Sequence, residues 1–296
     1  MDNKLLLSRL QDLSTFFEER FLRPSFDEFE KSGADDWSAL RLFVRGYAFE
    51  HAGRSPSFGP VASDVLKNLK ESKQSLDDPS TPDLTWKEFC KIMEDKVNPK
   101  VNPLAPQGTL FKYKRKTWAE PKMKPTQKMS VVEFVRPLER RNIVVWTRKT
   151  INEHSGKGLK KAHDELVCIN GVKDKIASLW LRDIAFQFRL EPPQEHRYLL
   201  FPVDIWVRRA VAIMAGKEFK SDKERAEWAI EECSNKLSPE KVNMGLWYLG
   251  AQIAESEYET EKSLKDESQF VRLVQEHLRR MERAVSSARP KISSWH

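Results

Sequence analysis

Apolar side chains recur along this chain at steps of three and four residues, and no stretch alternates with period two long enough to demand a sheet. That periodicity points to an all-α fold. Leu6, Leu10, Leu13, Phe17 and Phe21 form one such stripe, on a helix expected to end before Pro24. Leu40, Phe43, Val44, Tyr47 and Ala48 form a second, on a helix over 37–51 that Gly53-Arg54-Ser55-Pro56-Ser57 breaks. A third follows Pro60 through Val61, Val65 and Leu69. Thr85 with Glu88, Ser130 with Glu133 and Ser221 with Glu224 have capping-box spacing, in which hydroxyl and carboxylate each take up a backbone N–H, and so mark three helix starts. Ser238-Pro239 supplies a cap and a first-turn proline, and a charged helix over 262–286 closes the chain.

The 296 residues suffice for one large domain or two lobes with sizeable cores, and only 11 glycines suit a helical protein. Basic residues number 51 against 44 acidic, a net charge of +7 that suits a polyanionic partner without requiring one. Cys90, Cys168 and Cys233 are too scattered for a metal-ligand set or a disulfide framework, so reduced, buried thiols are expected, with no metal and no cofactor. Acidic and basic residues interrupt the leucines near the N-terminus, which reads neither as a secretory signal nor as a membrane span. The expected location is the cytoplasm, with the nucleoid, or the nucleus.

Between Asn98 and Met129 the composition changes. Lys112, Lys114, Arg115, Lys116, Lys122, Lys124 and Lys128 face a single acid, Glu120, between Gly108 and Lys128, and Tyr113 and Trp118 interleave with them. A solvated linker has this composition. So does a DNA-contacting insertion, with cations for phosphates and aromatics for stacking.

Two segments carry the chemistry. Ile169-Asn170-Gly171-Val172-Lys173-Asp174-Lys175-Ile176-Ala177-Ser178 reads as a tight glycine hairpin opening into a helix with a lysine in its first turns. After a hydrophobic helix, Phe201-Pro202-Val203-Asp204-Ile205-Trp206-Val207-Arg208-Arg209 places an aspartate at the start of another. Taken singly, Lys175 is a solvated helix lysine and Asp204 an N-cap. The combination resembles the helix-hairpin-helix DNA glycosylase superfamily, which includes endonuclease III and 8-oxoguanine glycosylases. The likeness covers 146–250 and is thin elsewhere.

The family pattern has Pro-Gly-Val-Gly and, two residues on, the lysine; here Lys173 stands at the second glycine position, with Lys175 in register. The interval from Lys175 to Asp204 is longer than usual, with the excess in a loop over 189–200. Residues 237–250 resemble the helix that packs against the aspartate's helix, and 42–51 stand where an early helix leads to a DNA-inserting loop.

The resemblance implies a two-lobed architecture with the active site between the lobes. Residues 36–203 would form the hairpin lobe, with a basic insertion at 98–129, and residues 1–35 plus 204–296 the other. It implies a DNA glycosylase with lyase activity, in which Lys175 attacks the sugar and Asp204 assists. Gly171, Lys173, Lys112, Lys114, Arg115 and Lys116 would contact DNA, and His51, Trp146 and Trp180 are candidates for a base pocket or wedge. The partner would be double-stranded DNA with a modified base, bound by a monomer without a membrane. A glycosylase that only hydrolyses, with Asp204 activating water, is one alternative. A catalytically silent DNA-binding module and a helical scaffold are others.

Overall fold

The computed structural model describes residues 3–50, 58–96, 108–112, 128–153, 156–234 and 236–293, and among them there is no β-strand. His51, Lys114, Arg115 and Lys116 lie outside the described residues. The chain opens with α1 (Asn3–Phe17) and continues through α2 (Arg23–Lys31), α3 (Asp36–Arg41), α4 (Phe58–Glu71) and α5 (Thr81–Lys96). Next come α6 (Val131–Val135), α7 (Ile143–Ile151), α8 (Gly158–Leu166) and α9 (Asp174–Gln187). The last are α10 (Ile205–Ala215), α11 (Asp222–Cys233), α12 (Pro239–Tyr248), α13 (Glu257–Lys265) and α14 (Glu267–Ser293). No described helix is long and apolar enough to cross a membrane.

These elements form two compact units, Phe21–Pro202 and the pair of segments Met1–Arg20 and Val203–His296. In the first, α9 is the core helix: every residue from Ile176 to Ala185 is buried. Trp180, with no exposure, takes Phe43 and Tyr47 edge-on at ring separations of 5.1 and 4.9 Å. Its indole N–H donates to Thr147 Oγ1 at 2.9 Å, so the ring's polar atom is satisfied inside the core. Phe26 of α2 meets Phe188, just past α9, edge-on at 6.0 Å, and Arg41 pairs with Glu28 at 2.5 Å. Residues 21–35, which the sequence assigned to the lobe of the chain ends, therefore belong to the hairpin unit.

In the other unit, α1 lies along α12 and buries Leu6, Leu7, Leu10, Leu13 and Phe17. Contact is backbone to backbone at Gly245, where a Cβ would stand 1.8 Å from the Leu10 carbonyl oxygen. Gln11 Oε1 accepts from the Ser238 amide at 2.7 Å, fastening α1 to the start of α12.

Three local expectations change. Pro24 does not end the first helical run: a π-helical turn, Glu18–Leu22, leads directly into α2, where a first-turn proline forfeits no hydrogen bond. Thr85 starts no helix but sits inside α5, its hydroxyl donating to the Thr81 carbonyl at 2.7 Å. The closing helix is two, because Asp266 interrupts it and its Oδ1 accepts from the amides of Ser268 and Gln269 at 2.8 and 3.4 Å. By contrast Ser130 and Glu133 form the full capping box, and Ser221 and Ser238 cap α11 and α12.

Candidate functional site

Between α8 and α9 the chain reverses over residues 167–173. The Val172 amide donates to the Ile169 carbonyl at 3.1 Å, closing a four-residue turn with Gly171 at its third position. Gly171 has φ +75°, the left-handed value that a type II turn needs there and that a side chain would strain. Ile169 and Val172 are both fully buried and root the turn in the core.

The hairpin is also held from outside. The Met129 amide donates to the Cys168 carbonyl at 3.0 Å and the Asn170 amide to the Met129 carbonyl at 2.7 Å, an isolated parallel bridge. Lys128 Nζ donates to the Val167 carbonyl and, at 3.4 Å, to that of Val172. Asn170 Nδ2 donates to the Lys112 carbonyl at 3.3 Å, so Lys112 meets the hairpin through its backbone. The two ends of the basic stretch thus converge on the hairpin.

Lys173 is the exposed N-cap residue of α9 and makes no side-chain cap hydrogen bond, and among the described residues no side chain accepts from the first-turn amides of Asp174 and Lys175. A helix start in that condition presents partial positive charge to an anion. Lys175 is half-buried in the first turn, followed by buried Ile176, Ala177, Ser178, Leu179 and Trp180. The exposed Asp174 carboxylate stands among these cations.

Asp204 belongs to the other unit. It is the half-buried N-cap of α10, where Oδ1 accepts from the Trp206 and Val207 amides at 2.9 and 3.0 Å. Oδ2 makes no hydrogen bond among the described residues, leaving a carboxylate oxygen with spare capacity. α12 and the π-helical turn Leu249–Ala254 pack on α10, and a Cβ at Gly250 would meet Trp206 at 2.9 Å. The sequence loop at 189–200 holds a 3₁₀ turn, Gln194–Leu200, packed on α8 and α9.

Two candidate base-stacking residues are core residues. Trp180 is enclosed as described, and Trp146, 6% exposed, packs edge-on against Phe134 at 5.2 Å. Helical spacing marks both as apolar-face residues, and packing takes the rings that the sequence made available for a base. The three cysteines form no disulfide among the described residues, but only Cys233 is buried; Cys90 and Cys168 are partly exposed, correcting the expectation of three buried thiols. No group of His, Cys, Asp and Glu among the described residues could hold a metal ion.

Sequence reasoning missed three features. Leu138 is 76% exposed at the head of a 3₁₀ turn, Leu138–Arg140. Its turn is anchored to the hairpin end of α8, since Arg140 pairs with Glu165 at 3.6 Å and lies 4.9 Å over the Phe134 ring. Arg136 and Arg141 flank it. The Pro137-Leu138 sequence between arginines was the available signal. A buried ion pair, Arg182 Nε to Asp183 Oδ1 at 2.7 Å, lies inside α9 with both residues 1% exposed. Burial first, and then the Asp183 charge and hydrogen bond, push the Tyr47 hydroxyl well above its ordinary pKa. That bond ties the π-helical segment Leu42–Glu50 to α9. The third is His163, buried on α8 beside the start of α9.

No protein-family model, no curated protein and no solved structure matches this chain.

Proposed function

We propose that the protein is a DNA glycosylase with lyase activity, acting on double-stranded DNA that carries a modified base. The observation that carries the reading is the glycine hairpin at 167–173, with Gly171 at φ +75° and an uncapped helix start bearing Lys175 directly after it. Backbone amides at such a start hold a phosphate without reading sequence. In this role Lys173 and the ends of the basic segment add cations for the backbone, and Lys112, Lys114, Arg115 and Lys116 strengthen binding through counterion release. The Lys175 amine, once deprotonated, attacks C1′ of the sugar. The C1′–N bond breaks, its electron pair leaves with the base, and the base takes up a proton. The lone pair of the lysine nitrogen then opens the sugar: the C1′–O4′ bond breaks, O4′ takes up a proton, and a protonated Schiff base forms at C1′. Loss of a C2′ proton drives β-elimination, in which the C3′–O bond breaks and its electron pair leaves with the phosphate. Asp204 offsets the positive charge that develops at C1′.

A base must leave the stack before this chemistry, and enzymes that flip bases fill the vacated space with an apolar wedge. Leu138, exposed between arginines on a turn fastened to α8, has the chemistry of such a wedge. The protein would act as a monomer in the cytoplasm, with the nucleoid, or in the nucleus, and need no cofactor.

The test is borohydride trapping on duplexes that each carry one lesion or an abasic site. Lys175→Ala should abolish the covalent adduct, whereas Lys173→Ala should keep it. Undiminished trapping by Lys175→Ala would overturn the assignment. Base release without any adduct would make the protein a hydrolytic glycosylase working through Asp204. Duplex binding with no release on any lesion would reduce it to a DNA-binding module.

A further inference from the structure

His163 occupies an unusual position at the hairpin. It lies on α8 with its side chain 8% exposed, and its buried Nε2 has no hydrogen-bond partner among the described residues. That nitrogen is aimed at the start of α9, 3.6 Å from Asp174 Oδ1, while Nδ1 lies 3.7 Å from Asp164 Oδ1. A neutral imidazole therefore leaves a buried nitrogen unsatisfied, which costs free energy. An imidazolium has two N–H donors, each facing a carboxylate, but burial opposes its charge. Burial is the larger influence and holds His163 below the ordinary histidine pKa; Asp174 and Asp164 pull it up, and Lys160 pushes it down. None of these strongest fields comes from α7 or from the 194–200 turn, the other elements packed on α8.

The balance depends on charge at the start of α9. A phosphate held by the first-turn amides must approach the Asp174 carboxylate, which is 90% exposed and of like sign. An imidazolium beside Asp174 offsets that repulsion, and the bound phosphate favours the imidazolium in return. Such linkage is reciprocal.

We infer that His163 makes the hairpin's anion site proton-linked, so that DNA backbone binding at the start of α9 is accompanied by proton uptake on His163. The inference rests on the reading of the hairpin as a DNA site. Because binding raises the proton affinity of His163, the added DNA affinity appears as pH falls through the bound-state pKa. It levels off below the free-state value.

The experiment measures affinity of the full-length protein for a labelled undamaged duplex from about pH 7.5 to about pH 5.5 at constant ionic strength, the range in which histidine titrates. One linked proton limits the gain to about tenfold per pH unit. Wild type should gain affinity more steeply than His163→Gln, which cannot be protonated. Asp174→Asn, which leaves the buried imidazole in place, should bind more tightly at the upper pH and show a flatter response. Equal pH slopes in wild type and both variants would overturn the inference and leave the DNA reading standing. A wild-type protein that binds no duplex at any pH overturns the DNA reading, and the inference with it.

Discussion

Asp204 caps α10, and under the proposed function the same carboxylate also serves the chemistry; substitution separates the two tasks. Oδ1 accepts two backbone hydrogen bonds at 2.9 and 3.0 Å at the start of α10, a helix that buries Val207, Ala210 and Val211. Asp204→Ala removes the oxygen that accepts both hydrogen bonds and the negative charge at the positive end of the helix, costing about 1.5 kcal/mol. In a unit of this size that lowers the melting temperature by roughly 6 °C. Asp204→Asn keeps an oxygen in the Oδ1 position, and Asn caps nearly as well, so its stability should fall by only a few tenths of a kcal/mol. The amide has no charge to set against the developing cation, and single-turnover base release should fall by about a hundredfold or more. Thermal melts and single-turnover release on one lesion duplex, with duplex affinity measured alongside, read the two tasks independently. Equal destabilisation by Asn and Ala would refute the capping argument. Wild-type release by Asp204→Asn would remove Asp204 from the chemistry.

Two further substitutions test the framework around the site. Gly245→Ala places a methyl group 1.8 Å from the Leu10 carbonyl oxygen, so α1 and α12 must separate. The cost should be about 3 kcal/mol, read as a lower urea midpoint, and an unchanged midpoint would show that the close approach is absent. Leu138→Ala truncates a side chain that is 76% exposed, so stability should stay within about 0.5 kcal/mol of wild type. Base release from an intact lesion duplex should slow by about tenfold, the cost of losing part of the wedge; release at the wild-type rate would dismiss it.

Some of the site could be read directly from residue order. The glycine of the 169–178 segment takes a positive φ because the chain must reverse within four residues there, and Asp204 caps because a short polar side chain precedes an apolar helix. Both are local events, decided within one turn of backbone. Thr85 shows where local logic fails: its spacing to Glu88 is that of a capping box, but α5 already begins at Thr81, so the hydroxyl bonds backward instead. Trp146 and Trp180 show the other limit. Helical spacing puts them on an apolar face without saying what covers it. Phe134 covers Trp146 from the preceding helix α6, and Phe43 and Tyr47 reach Trp180 from a distant part of the chain.

By itself, the sequence determined the all-α character, several helix starts and the order hairpin, lysine helix, aspartate helix, because periodicity, capping and turn chemistry act over a few residues. Tertiary structure alone decided which side chains are enclosed and which are bare. Pro137-Leu138 between arginines marks a turn, but where that turn is fastened is decided in the fold, by Arg140 pairing with Glu165. Nothing local to His163 predicts a carboxylate from the next helix 3.6 Å from its buried nitrogen. Burial and long-range electrostatics depend on which surfaces meet, and residues far apart in the chain meet only when it folds.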